Sequence, residues 1–428
     1  MRIHQIICHL VLLISLLLSG CATTGPQGTA IWLTGKPQTV VTGIEVLRQQ
    51  EFAPLTGLRV GLVTNATGVD RYLRSTVDIL NEASNVNLVA LYGPEHGVRG
   101  AHTAGEYVDF YIDEHTGLPV YSLYGKTRKP TPEMLEEVDI LVFDIQEIGC
   151  RSYTYISTLG LCMEACAEND VRLLVLDRPN PLGGNRVEGN LVEEGYFSFV
   201  SQFPVPYVHG LTIGEFARML NGEKLLENGA QCELMVIPMK NWKRSMTFED
   251  TGLQWVPTSP HVPHQYSPLY YVSSGVMGEL GVISEGVGYT APFQLIGAEW
   301  VDADKLAAEL NSQNAPGVIF RPVIFKPYYG RDQGKFIGGV QVHITDPSRV
   351  NLLGLQFRYL EALIKMYPDK NPFELAKDNR LRMFDKVNGS DKVRELFTEN
   401  YRYADVQDFL NKDAAEFKLR SARYYLYK

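Results

Sequence analysis

Between residues 58 and 238 the hydrophobic positions fall into short, nearly continuous runs, separated by stretches with helical spacing. The runs predict strands over 58–64, 87–92, 119–123, 140–145, 172–177 and 233–238. The intervening spacing predicts helices over 72–83, 132–138, 155–168 and 213–220. Runs of Val, Leu and Ile without polar alternation require burial on both faces, which a parallel sheet covered by helices provides. The expected class is therefore α/β, with a Rossmann-like, mostly parallel sheet. After Trp255 the texture changes to Pro, Ser, His and Tyr. Strand patterns follow over 318–326 and 336–344, then helical spacing to the end. A boundary near residue 262 separates a Rossmann-like catalytic domain, 41–262, from a smaller α+β C-terminal domain, 263–428.

The N-terminus has a different pattern. Arg2 precedes an apolar run over 10–18, which ends in Leu18-Ser-Gly-Cys21. This is the order of a bacterial secretion signal, residues 1–20, with small residues before the cleavage point. The last four residues resemble a lipobox, in which Cys21 becomes the acylated N-terminus. Residues 21–40 read as a flexible tether. No later apolar run approaches the length of a spanning helix. The expectation is an exported protein, lipid-anchored to the bacterial cell envelope on its periplasmic or outer-membrane face.

A net charge of −9 supplies no basic stripe for a phosphate backbone, so no nucleic-acid partner is expected. No glycine-rich dinucleotide fingerprint follows the first strand, no Walker A sequence occurs, and no zinc-type spacing is present, so no cofactor or metal is expected. Apart from Cys8 and Cys21 the cysteines are Cys150, Cys162, Cys166 and Cys232. Their even number permits disulfides, but the apolar neighbours of Cys162 and Cys166 on one helix face favour buried thiols.

The chemistry gathers in loops that follow predicted strands, where open α/β sheets place their ligands. The stretch Leu91-Tyr-Gly-Pro-Glu-His-Gly-Val-Arg-Gly100 brings Glu95, His96 and Arg99 into a glycine-punctuated loop. A carboxyl group held in a dry cleft stays protonated and serves as a general acid; otherwise Glu95 pairs with Arg99. Asp144, Glu147 and Arg151 end another strand and add a second carboxylate cluster of the kind glycoside hydrolysis needs, unless they form ion pairs or caps. Asp177, Arg178 and Asn180 in a proline-fixed loop offer polar groups to sugar hydroxyls or to a carboxylate. His209 and His261 complete the set. A metal site from His96, His102, Asp144 and His209 is a weaker alternative.

Four motifs in order carry a family resemblance: Gly93-Pro-Glu-His-Gly97, Phe143-Asp-Ile-Gln-Glu-Ile-Gly149 with Arg151-Ser-Tyr-Thr-Tyr155, Leu176-Asp-Arg-Pro-Asn-Pro-Leu-Gly-Gly184, and His209-Gly-Leu-Thr-Ile-Gly-Glu215. Over residues 42–428 the chain resembles the exo-β-N-acetylmuramidase (NamZ-like) family of peptidoglycan hexosaminidases. The resemblance implies a cleft between the two domains and release of N-acetylmuramic acid from non-reducing ends of peptidoglycan-derived glycans. It puts Glu95 on the proposed catalytic glutamate and His96 beside it. The expected catalytic set is Glu95, His96, Asp144 and Glu147, with the second carboxylate open among Asp144, Glu147 and Glu279; the expected substrate-binding set is Arg99, Arg151, Asp177, Arg178, Asn180, His209, His261 and Glu279.

The loop 279–289 departs from the family pattern, with Val282 and Val287 in place of the usual Asn and Arg. His261 likewise replaces an Asn. The two valines motivate a rival reading, a sugar-binding lipoprotein without turnover. A metal-dependent amidase or deacetylase is a third. For the anchor, Cys21→Ala is expected to give a folded protein that no longer takes up labelled fatty acid; unchanged labelling contradicts the lipobox.

Overall fold

A computed structural model describes residues 39–100 and 110–428. The signal, the acylation site Cys21, nearly all of the tether and His102 lie outside the described residues. The first sheet contains β1 (Arg59–Thr64), β2 (Asn87–Gly93), β3 (Tyr111–Ile112), β4 (Pro119–Ser122), β5 (Ile140–Asp144), β6 (Arg172–Leu176) and β7 (Leu234–Ile237). Their order is β3-β4-β2-β1-β5-β6-β7, and every neighbour pair is parallel except the short edge pair β3 with β4. Without β3 this is the strand order of the doubly wound dinucleotide-binding sheet.

The apolar runs are unbroken because each face needs its own core. Val63, Leu141, Phe143, Leu173 and Val175 face one helical layer, which includes Leu159 and Phe216. Val60, Leu62, Val142, Leu174 and Leu176 face the other, with Ile44, Leu47, Val77 and Leu80. In the first layer the helix Tyr155–Glu168 lies where its spacing predicts, and Ile213–Gly222 begins with a Thr212/Glu215 capping box.

Three helices differ from expectation. Thr76–Glu82 begins later than residue 72, because the Asp70 carboxylate accepts from the backbone N–H of Tyr72 (2.9 Å) and Arg74 (3.0 Å) and holds a turn. Ser75 then caps the helix through the N–H of Val77. The expected 132–138 helix is the single turn Pro132–Leu135. The helix Gly43–Gln49 falls in a stretch where no element is predicted; its Gly43 lies so close to the sheet that a Cβ there would be 2.5 Å from the Asp177 nitrogen.

The C-terminal part begins with the helix Ser267–Gly278 and builds an antiparallel sheet of β8 (Leu295–Ala298), β9 (Val318–Phe325) and β10 (Ile337–Ile344), ordered β8-β10-β9. The helices Ala303–Ser312 and Leu352–Met366 pack on it around Phe320, Val340, Phe357 and Leu360. The short strand β8 has no predicted counterpart. Its Gly297 approaches Gly338 and Gly339 too closely for any side chain.

The chain then returns to the first layer. Phe417 joins its core, and Tyr424 and Tyr425 pack against it. Tyr427 donates to the Asp177 carboxylate at the end of β6.

Gly160 shows how tight the first layer is, since a Cβ there would lie 2.2 Å from Cζ of Phe203, whose ring is buried edge-on to Phe216. Gly160→Ala is expected to destabilise the protein by ~1–3 kcal/mol through overpacking. An unchanged denaturant midpoint would mean that the Phe203 ring can move aside at no cost.

Candidate active site

A cleft of about 580 Å³ opens where the sheet's carboxyl edge meets the C-terminal part. It is displaced from the switch point between β1 and β5. There the loops close on each other: the Thr64 hydroxyl donates to the Asp144 carbonyl (2.8 Å) and Thr67 accepts from the Gln146 N–H (2.9 Å). The cleft lies instead beyond β2, β4 and β5. β2 runs into a turn with His96 at φ 76° and Gly97 at φ 73°, which aims Glu95 into the cleft and leaves His96 buried along its wall.

Tyrosines surround Glu95. The Tyr124 hydroxyl is pushed up to about 12, first by burial and then by the charge and hydrogen bond of Glu95. Burial also raises Tyr153 and Tyr155, and the Glu95 carboxylate adds to both. Tyr153 donates to the Thr258 hydroxyl and Tyr155 to the Thr258 carbonyl, each at 2.7 Å. These bonds tie the wall after β5 to the crossing segment that leads to the C-terminal part.

From the other side come His261, Tyr271, Glu279, Phe293, Met383 and Lys386. His261 Nε2 lies 2.9 Å from the Tyr329 hydroxyl, and burial, aided by His96, lowers its pKa. Burial raises the Glu279 carboxyl, with the Arg380 guanidinium 3.6 Å away opposing it. The cleft thus presents two carboxyl groups, one from each part of the fold. Val282 and Val287 are not among the lining residues; Val282 packs against the C-terminal core. The loop they occupy is held by other guanidinium groups. Arg331 donates to the Ile283 carbonyl (2.7 Å) and to Glu285 (3.2 Å), and Arg380 to the Gly278 carbonyl (3.3 Å).

Glu95, His96, His261 and Glu279 therefore meet around one cleft, and the remaining expected site residues do not line it. Asp144 is engaged by Arg178, which reaches one carboxylate oxygen through Nε and the other through Nη2 at 2.9 Å. Asp177 takes bonds from Tyr427, from Thr212 (2.8 Å) and from the Gly214 N–H (2.8 Å), yet burial still lifts it to about 7. Asn180 bridges its own loop, accepting from the Leu182 N–H and donating to the Leu211 carbonyl, both at 2.9 Å. Arg151 is fully buried and donates to the carbonyls of Asn190 (2.8 Å), Val205 (2.6 Å) and Val387 (3.0 Å). Arg99 pairs with Asp113 at 2.7 Å and reaches Asp78.

Glu147 and His209 form a buried pair 3.7 Å apart. Burial lifts Glu147 to about 8 and lowers His209 to about 3, so desolvation drives each toward its uncharged form. His209 Nδ1 accepts from the Leu211 N–H (3.2 Å), which leaves the ring proton on Nε2.

Sequence reasoning missed Tyr124, Arg128, Tyr271 and Lys386. Tyr124 and Arg128 follow a predicted strand at the same sheet edge as Glu95, and that position was the available signal. Among the described residues no group of three or more His, Cys, Asp or Glu is placed to hold a metal ion. The four cysteines among the described residues are buried free thiols.

Fold and cleft together define a Rossmann-like α/β protein whose site is shared between the sheet edge and a C-terminal cap. Residues 60–266 match the N-terminal, and residues 269–427 the C-terminal, family model of the exo-β-N-acetylmuramidase NamZ. The chain belongs to the NamZ family. It is 43% identical over 394 residues to the peptidoglycan β-N-acetylmuramidase NamZ of Bacillus subtilis (strain 168), covering 92% of this chain and 93% of that one. Two crystal structures of DUF1343 family proteins from Bacteroides fragilis NCTC 9343 share the fold. One has a TM-score of 0.87 at 55% identity, covering 92% of this chain and all of that one. The other has a TM-score of 0.74 at 30% identity, covering 91% and 99%.

The raised pKa of Glu147 gives a pH test. Between pH 4.5 and about 8 the unfolded chain releases this proton while the folded chain keeps it, so the wild type loses stability as pH rises through that window. Glu147→Gln has no such proton to release. Its melting temperature relative to wild type is expected to rise from about pH 5 to about pH 8. A difference that stays constant or shrinks would show Glu147 to be ionised in the fold.

Proposed function

We propose that this protein is an exo-acting glycoside hydrolase that removes N-acetylmuramic acid from the non-reducing ends of peptidoglycan glycan fragments. The observation that carries it is the presence of Glu95 and Glu279 in one tyrosine-walled cleft. Cleavage of a glycosidic bond needs one carboxyl group to protonate the leaving oxygen and a second to stabilise the sugar cation or activate the attacking group. Glu95 serves as the proton donor, oriented by Tyr124. Glu279 is the second carboxyl group. Family membership and the B. subtilis relative's activity on peptidoglycan support the substrate class.

A second assignment exchanges the two roles, because burial raises Glu279 and so favours its protonated form. The non-catalytic, sugar-binding alternative rested on Val282 and Val287, and it loses that motive because neither lines the cleft. Export and acylation at Cys21 complete the proposal and place the enzyme on the envelope membrane, near its polymer.

Glu95→Gln and Glu279→Gln separate the roles. If Glu95 is the acid, turnover of the natural disaccharide by Glu95→Gln falls on the order of 100-fold or more, and turnover of a nitrophenyl muramide falls much less, since nitrophenolate leaves without protonation. Glu279→Gln then loses both substrates alike. The reverse pattern assigns the acid to Glu279. Near-normal turnover by both variants removes the pair from the reaction.

A further inference from the structure

An uncharged sugar gives a cleft no reason to hold uncompensated cations, yet two line this one. Arg128, from the segment after β4, and Lys386, on the helix Asp378–Asn388, have no ion-pair partner among the described residues. Of the acidic groups nearby, Asp385 binds Arg394 through two contacts of 2.8 Å and Glu279 faces Arg380, while Glu95 shares the cleft and, like Arg128, acts on Tyr124.

Arg128 approaches a short turn at 198–201, and the helix that carries Lys386 packs against the same turn. The Arg128 guanidinium carbon lies 4.1 Å from the centre of the Phe199 ring. The Ser201 hydroxyl is 3.5 Å from the carbonyl of Val387, the residue after Lys386. Ser198 and Ser201 exchange backbone hydrogen bonds of 3.2 and 2.8 Å, which fixes the turn that presents Phe199 and Val200 to the cleft. The Ser198 hydroxyl lines the same wall, and its oxygen is buried without a hydrogen-bond partner. A buried hydroxyl of this kind carries a desolvation cost that a ligand oxygen would relieve.

Stacking on Phe199 uses the face of the guanidinium and leaves its N–H edge for a planar anion. N-acetylmuramic acid differs from N-acetylglucosamine by a lactyl ether whose carboxylate is its one charge at neutral pH. We propose that Arg128, Lys386 and the Ser198 hydroxyl form the subsite for this lactyl carboxylate and so set the preference for muramic acid. The assignment rests on the muramidase reading for its ligand, but it concerns binding and not bond cleavage.

The test is calorimetric binding of methyl β-N-acetylmuramide and of its lactyl methyl ester to the full protein at low salt. Wild type is expected to bind the acid at least ~10-fold more tightly than the ester. Arg128→Met should bring the two affinities together while leaving the ester unchanged. Lys386→Met should close part of the gap, and Arg128→Lys should retain part of it. Added salt should weaken the acid alone. Both side chains are exposed, so melting curves are expected to match wild type. Equal affinities in wild type, no binding of either form, or an Arg128→Met loss that is the same for both forms would overturn the subsite. A wild type that prefers the acid but releases no sugar from any muramide would instead overturn the hydrolase reading and leave the subsite standing.

Discussion

The buried pairing of Arg178 with Asp144 is the interaction on which the site's framework depends. One guanidinium at the end of β6 grips both oxygens of a carboxylate at the end of β5, and also donates to the Val69 carbonyl beyond β1 at 2.9 Å. The Thr76 hydroxyl donates to the same carboxylate from the helix Thr76–Glu82. Three strand ends are thereby locked by one charged cluster, and removing either partner of such a cluster typically costs ~3–5 kcal/mol because the survivor stays buried and unpaired. The parallel sheet creates the need for it. All its strands deliver polar loops to one edge, and loops that cover one another must satisfy their own polar groups.

Rigidity at that edge is what lets a few side chains act in the cleft. Arg151 extends the lock across the molecule, joining carbonyls in the loops after β6 to the Val387 carbonyl near Lys386. Asp177, fixed by Thr212, Gly214 and Tyr427, fastens the end of the chain to the same frame. Burial drives the Glu147 and His209 pair toward its uncharged form, and neither residue lines the cleft, where the carboxyl groups are those of Glu95 and Glu279. Around Glu95 the buried tyrosines keep the local dielectric low, which strengthens each electrostatic contact with a reacting sugar.

Much of this fold was legible in the sequence because strands buried on both faces leave a strong pattern. The runs over 140–145 and 172–177, and the helix Tyr155–Glu168, appear nearly residue for residue. What escaped was decided by contacts distant in sequence. The helix Gly43–Gln49 is too short to show a period and is fixed by the sheet it meets, and β8 is a glycine-containing strand defined by its partner β10. The site divided in the same way. Strand-end logic pointed to Glu95 and His96, which line the cleft, but it could not separate ligand-facing polar residues at that edge from those that pair within the protein. Asp144, Arg178, Asp177 and Arg151 have the same residue types and the same setting, and only the packing shows that their partners are other protein groups. Lys386 escaped because an exposed cation on a helix has no sequence mark that distinguishes it from solvent-facing charge.

The most direct measurement is a crystal structure of Glu95→Gln protein soaked with the disaccharide in which N-acetylmuramic acid is β-1,4-linked to N-acetylglucosamine. The expected complex has the muramic acid ring in the cleft and the glycosidic oxygen within ~3 Å of the residue 95 side chain, as proton transfer requires. A disaccharide bound with that oxygen remote from residue 95, or bound outside this cleft, would contradict the assignment of the site.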